Sequence, residues 1–294
     1  MKAADSAGGP PSGPDPVPAG LVAPPPSERA RSRADEARAS SAEAPRLDPG
    51  EFRARILFRN ERVLAVDKPP WLPVHPAKAG PGSSLASAAC RHLGTERIHP
   101  VSRLDRETSG IVVFALDRGA ARLLQGAVER REVSKSYLAV LHGTLGETLE
   151  RHDRIVPDRP SAVRVKMRAS SERDPAGGFT RFQPLLTAHG KTLCRVHTAG
   201  GRKHQIRVHA AAAGLPLVGD KLYGPDETLY LEFCREGWTP RLREALGWPR
   251  QMLHAGEWSV ENTLGLPALH QPPPPAWADC LGEAHFRLDA DRPD

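Results

Sequence analysis

The apolar pattern becomes regular near Phe52. Arg55-Ile56-Leu57-Phe58 and Arg62-Val63-Leu64-Ala65-Val66 read as two short strands around the turn-prone Arg59-Asn60-Glu61. Lys68-Pro69-Pro70 ends the second, because proline cannot extend a ladder. Residues 110–116 form an unbroken apolar run, which predicts a buried strand. Asp117 behind it is an N-cap for a helix over 118–130, with Ala121, Leu124 and Val128 on one face. A strand over 134–141 puts Tyr137, Ala139 and Leu141 on one side by its period of two. Further strands are expected at 162–167, 180–187 and 192–198, then a short helix over about 203–213 closed by Gly214. Strand and helix do not alternate regularly, so the expected class is strand-rich α+β. Four prolines, 272–275, mark a loop, with weak structure expected after them and no internal repeat visible.

Composition changes this picture mainly at the N-terminus. Residues 1–50 contain no Phe, Tyr or Trp and hold ten of the 30 prolines, so they are expected to be a disordered tail, with a single domain over 51–294. The tail carries a net −1 of the overall +6, which leaves about +7 on the body and favours a polyanionic partner. Cys90, Cys194, Cys234 and Cys280 stand far apart, which suggests neither a zinc ribbon nor a disulfide framework and fits a reducing cytoplasm. No stretch approaches the ~20 apolar residues of a membrane span, and no apolar signal core opens the chain. Residues 29–41 are Arg- and Ser-rich, as a mitochondrial presequence is, but Asp35 and Glu36 count against that reading.

Two clusters could carry chemistry. His99-Pro100-Val101-Ser102-Arg103-Leu104-Asp105-Arg106-Glu107-Thr108-Ser109-Gly110 lies at the mouth of the apolar strand. An extended 103–105 would turn Arg103 and Asp105 to the same side, although a loop salt bridge explains that pair more economically. The second cluster, Gly200-Gly201-Arg202-Lys203-His204-Gln205-Ile206-Arg207-Val208-His209, leads into a helix start that suits a phosphate. His204 and His209 are five apart, off a common helical face, so no metal site is expected.

Together these clusters resemble the RluA-type pseudouridine synthases. Arg103-Leu104-Asp105-Arg106-Glu107-Thr108-Ser109-Gly110 is similar to the family's catalytic motif. Lys135-Ser136-Tyr137-Leu138-Ala139, the 201–209 block and Pro216-Leu217-Val218-Gly219-Asp220-Lys221-Leu222-Tyr223-Gly224 follow in the family's order. Lys68-Pro69 and Leu253-His254-Ala255 are weaker echoes, and the resemblance spans about 52–275. It implies a mixed, largely antiparallel sheet flanked by helices and loops, with the site in a central cleft. Two departures stand out: Ser102 occupies the place of a usual His, and the tail replaces the N-terminal RNA-binding domain of many members.

The resemblance further implies isomerisation of uridine to pseudouridine in structured ribosomal or transfer RNA, without a cofactor. Asp105 would be the catalytic carboxylate, held by Arg207 in two hydrogen bonds. Tyr137 would lie against the uracil and is a candidate for helping with its C5 proton, and Arg103 would help hold the target nucleotide out of its stack. Arg106, Lys135, Arg202, Lys203 and His204 would contact phosphates. Lys68 is read as structural and Asp220 as a turn residue. The expected partner is RNA, with no membrane and no obligate protein partner, the chain being a monomer. The other readings are an RNA-binding module of the same fold without turnover, and a metal-dependent nuclease using Asp105 and Asp220.

Overall fold

Residues 28–40, 46–75, 83–173, 178–261 and 263–282 are described by the structure, a computed structural model. Its first half comprises α1 (Glu28–Ala39), α2 (Pro49–Arg53), β1 (Ile56–Arg59), β2 (Val63–Lys68), α3 (Leu85–Leu93), β3 (His99–Pro100), β4 (Ser109–Ala115) and α4 (Arg118–Glu129). Six strands follow: β5 (Val133–His142), β6 (Leu149–Arg151), β7 (Asp153–Pro157), β8 (Met167–Arg173), β9 (Thr180–Ala188) and β10 (Lys191–Thr198). The remainder is α5 (Gln205–Ala212), α6 (Thr228–Glu236), α7 (Pro240–Leu246), β11 (Leu253–Val260), β12 (Leu269–His270), a 3-10 turn at Pro275–Trp277 and α8 (Ala278–Leu281).

One sheet runs β1-β2-β4-β11-β5-β10-β9-β6, with β3 on β4 and β12 on β11, while β7 and β8 pair separately. The β4–β11 contact is parallel, His254 opposite Ser109 and Ala255 opposite Gly110, in an otherwise antiparallel sheet. Strand β4 is buried along its whole length because both its faces are covered. Val112 and Phe114 pack with Leu64, Trp71 and α3, whereas Ile111 and Val113 meet Ala120, Leu124 and Ala127 of α4. An apolar strand without alternation is the sequence signature of that environment. Beyond β11 the same holds for β5: Ala139 and Leu141 pack against Ile206 and Ala210 of α5, and Leu138 and Val140 against Trp277 and Leu281. The sheet therefore has two covered halves that meet at β4, β11 and β5.

Gly110 marks that seam. Its φ of +103 lies in the region that favours glycine, and a Cβ there would run into the backbone of Ala255. Gly110→Ala is expected to destabilise the fold by roughly 3 kcal/mol through strain and overpacking, read as a lower urea midpoint at unchanged m.

Most expected elements form close to their predicted bounds, and Asp117 caps α4 by accepting from Ala120 N–H at 2.8 Å. The exceptions share a cause in long-range contacts. The strand expected at 162–167 is a tight turn, with Ser161 and Ala162 bound to Glu227 and with Lys166 N–H donating to Val163 O. The strand lies instead at β8, paired with β7, to which the sequence pattern assigned nothing. Past the proline run, Trp277 and Leu281 are fully buried, so 275–281 is ordered core and not weakly structured. The disordered tail expected through residue 50 gives way to a helix at α1. That helix buries little apolar surface and is held by polar anchors: Asp35 on Arg55 and Trp71, Glu36 on Trp248 and Arg250, and Ser32 on Ala276 N–H. Residues 1–27 and 41–45 of the expected tail lie outside the described residues.

Candidate active site

Asp105 opens a turn whose Thr108 N–H donates to Asp105 O at 3.2 Å, immediately before β4. The turn is built on Lys68, which is fully buried and donates to the carbonyls of Pro69, Leu72 and Arg106 at 2.8 Å each. Burial pushes the Lys68 amine well down from its ordinary value, and three carbonyls replace its water. From the far side Lys221 Nζ donates to Glu107 Oε1 at 2.8 Å. The turn is thus fixed by two lysines before any substrate contact.

Helix α5 brings Arg207 to this turn, and the guanidinium divides its donors unequally. Nη1 donates to Asp105 Oδ2 at 2.8 Å, while Nε and Nη2 grip Asp220 at 2.7 and 2.9 Å. The two-bond fork expected on Asp105 therefore sits on Asp220, and Asp105 receives a single bond from Arg207. Asp220 does shape a turn, accepting from Leu222 and Tyr223 N–H at 3.0 Å each, but it is also the fully buried counter-charge of Arg207. Burial raises both carboxyls, yet the Arg207 charge outweighs it and holds both below the usual carboxylate range. Asp105 keeps 29% of its side chain exposed against none for Asp220, so only Asp105 can meet a ligand.

A cleft open to solvent joins Arg103, Asp105, Tyr137, Arg202, His204 and Arg207. Tyr137 comes from β5, where it stands opposite Val196 of β10 and Ala255 of β11. Burial first, and then the Asp105 charge, push its phenol up to about 12, so it remains a protonated donor at neutral pH. Gln251 was not singled out from the sequence; it donates to Thr108 Oγ1 at 3.1 Å and reaches Asp105 Oδ2 at 3.5 Å. Its signal was its place just before the Leu253-His254-Ala255 echo.

The residues expected to meet phosphates are dispersed. Arg103, Arg202 and Lys203 are exposed at or beside the cleft mouth. Lys135 is half-buried on β5 and shares a face with Tyr137, but it does not line the cleft. Arg106 turns away from the cleft: its Nε donates to Trp71 O at 3.1 Å, and it lines a second cavity that shares Asp105, His204 and Arg207 with the cleft. His204 is a wall of the site, only 11% exposed, with Nδ1 2.7 Å from Tyr223 Oη and Nε2 3.9 Å from Asp105 Oδ1.

Burial, and then the neighbouring Arg207, lower His204 to about 4, so it is uncharged at neutral pH and leaves Arg207 as the cation facing Asp105. The unfolded chain binds a proton on this group near its ordinary 6.5 and the folded chain only near 4. Stability is therefore expected to fall as pH drops from 6.5 towards 4 and to lose no more to this group below that. The loss is about 3 kcal/mol for a shift of this size. Denaturant midpoints across that window check it: His204→Gln should show a shallower slope than the parent chain.

Among the described residues, no group of three or more His, Cys, Asp or Glu side chains is placed to hold a metal ion. Asp220, with both oxygens on Arg207, is not available as a ligand beside Asp105.

A buried Arg clamped between two carboxylates, one of them facing a cleft at the seam of a mixed sheet, defines a carboxylate site open to a ligand. The family described as RNA pseudouridylate synthase matches residues 62–212. The chain belongs to that family, in its RluA-type branch. "Ribosomal large subunit pseudouridine synthase D" of Xylella fastidiosa is 33% identical over 217 residues, 70% of this chain and 61% of that protein. The protein of the same name from Pseudomonas aeruginosa is 33% identical over 212 residues, 70% of this chain and 63% of its own length. The chain thus spans about six tenths of the length of these curated relatives. The solved structure of human RNA Pseudouridylate Synthase Domain Containing 1 shares the fold, with a TM-score of 0.60 and 23% identity over 78% of this chain and 86% of that one.

Proposed function

We propose that this chain converts uridine to pseudouridine in structured RNA, with Asp105 as its catalytic carboxylate. One observation carries the reading: Asp105 is the carboxylate of the Arg207 pair that opens onto the cleft, and Arg207 keeps it ionised there. The isomerisation breaks the N1–C1′ bond, turns the uracil and rejoins it through C5, so that one proton leaves C5 and one arrives at N1. An ionised carboxylate serves either route to cleavage, attack at C1′ or removal of a proton from C2′. Single-point attachment to Arg207 leaves Asp105 freer to approach the sugar than a two-bond fork would.

Tyr137 supplies a ring for the uracil to lie against, but a phenol at about 12 is a poor acceptor for the C5 proton. We therefore assign it a stacking and donor role and leave that proton to water. Arg103, Arg202 and Lys203 at the mouth would meet phosphates and hold the extruded nucleotide, which offsets an unstacking cost of a few kcal/mol. The names of the relatives in Xylella and Pseudomonas favour ribosomal RNA over transfer RNA as the substrate. All four cysteines are free and, among the described residues, no helix is long and apolar enough to cross a membrane. We place the protein in the cytoplasm as a monomer whose one domain reaches back to α1.

The test is incubation with ribosomal and transfer RNA transcripts, mapping pseudouridine at nucleotide resolution. Product at defined uridines supports the reading and names the substrate, whereas binding without product in either RNA favours the module that has lost turnover.

A further inference from the structure

Arg250 is fully buried, and its guanidinium ties three parts of the molecule together. Nε donates to both carboxylate oxygens of Glu36 on α1, at 3.1 and 2.9 Å, and Nη2 donates to Oε1 at 2.6 Å. Nη1 donates to the carbonyls of Glu107, Gln251 and Leu253, at 3.2, 3.1 and 3.3 Å. Glu107 lies two residues past Asp105 in the same turn, and the Gln251 side chain braces Thr108 and Asp105. One side of the guanidinium therefore faces α1, and the other holds the backbone that presents the catalytic carboxylate.

We propose that Glu36 is a positioning residue for Asp105, acting through Arg250. This rests on the reading of Asp105 as the catalytic group. The Glu36 carboxylate fixes the plane of the guanidinium, and that plane sets the three carbonyl contacts. A glutamine at 36 keeps one acceptor oxygen but loses the charge and the second acceptor, so the plane of the buried guanidinium is held less firmly and can shift the 105–109 turn with it. The neighbouring Asp35 makes the contrast clear: it pairs with Arg55 at 2.7 Å and accepts from Trp71 at 3.0 Å, and it docks the same helix without touching Arg250 or the turn. Arg33 pairs with Asp279 nearer the surface. Helix α1 precedes residues 62–212, which the family model matches, and Arg250 follows them.

The experiment uses the full chain as wild type, Glu36→Gln, Asp35→Asn and Arg33→Ala. Each is measured for thermal midpoint, for kcat and KM of pseudouridine formation, and for hydrogen exchange of the 105–109 amides. Glu36→Gln is expected to lower kcat by about 10- to 100-fold at unchanged KM, the scale of a small misplacement of a catalytic group. Its turn amides should exchange roughly tenfold faster. Asp35→Asn is expected to lower the thermal midpoint with kcat and turn exchange kept, and Arg33→Ala to change neither. Equal losses of kcat in Glu36→Gln and Asp35→Asn, or unchanged turn exchange in Glu36→Gln, would reduce Glu36 to a docking anchor and overturn the proposal. Should Glu36→Gln not fold, Arg250→Lys serves instead: it keeps the charge pair but not the carbonyl contacts, and the proposal requires its kcat to fall. If the wild type makes no pseudouridine, the functional reading fails while the exchange comparison still decides the brace.

Discussion

Asp105→Asn is expected to abolish pseudouridine formation, by at least about 10⁴-fold in single-turnover rate, with the protein still folded and able to bind RNA. The magnitude is that of removing a group on which a whole catalytic unit depends. The asparagine amide oxygen can still accept from Arg207 Nη1, so the geometry of the turn is kept. What disappears is the negative charge, and an amide neither attacks C1′ nor takes a proton from C2′. Folding survives because Arg207 is not orphaned by the change: two of its donors remain on Asp220. Relief of a partly buried carboxylate offsets part of the lost charge pair. RNA binding relies on the cationic mouth and is expected to change little. An asparagine variant within about tenfold of wild type would remove Asp105 from the mechanism, and the site would have to be sought elsewhere in the cleft.

The next largest effect is expected at a residue that never meets substrate. Asp220→Ala removes the bidentate partner of a buried guanidinium and leaves Leu222 and Tyr223 N–H without their acceptor. Breaking a buried pair from one side costs roughly 3–5 kcal/mol, so the denaturant midpoint at pH 7 should fall accordingly. Activity is expected to fall too, since an Arg207 released by Asp220 can swing its fork onto Asp105 and tie down the oxygen proposed to reach the sugar. The pH dependence separates this from a general loss of packing. Asp220 titrates lower in the folded chain than its ordinary 3.8, because Arg207 outweighs its burial. Its contribution is therefore complete above that value and is lost as pH falls through the folded one. Wild type and variant should differ most at neutral pH and converge in acid. A difference that did not shrink in acid would mean that Asp220 acts by shape alone.

Both predictions show where the sequence was informative. The Arg-Leu-Asp turn before an apolar strand, Tyr137 on the inner face of β5 and Arg207 on the helix after Gly200-Gly201 were all visible. Their chemistry is carried by residue type at fixed short spacing. The structure adds the division of Arg207 between two carboxylates, which motif spacing could not show because Asp220 lies over 100 residues from Asp105. Asp220 looked like a turn residue since half of its contacts are those of one. His204 looked like a surface cation because a sequence shows that a side chain can be charged but not whether it is buried; its wall position behind Tyr223 makes it neutral.

What the sequence by itself determined is the local and the periodic. The apolar run of β4 and the Asp117 cap each follow from interactions within a few residues or from a repeating face, whereas the glycine at 110 answers to the Ala255 backbone brought beside it by the fold. Tertiary structure alone decided the rest. Helix α1 has no apolar face that periodicity could detect, and it is ordered by Asp35 and Glu36 meeting arginines and tryptophans up to 214 residues away. The β7–β8 pair and the buried end at Trp277 likewise depend on partners brought by the fold. A buried charge is stable only beside its counter-charge, and the chain does not record which distant residue that will be until the sheet has closed.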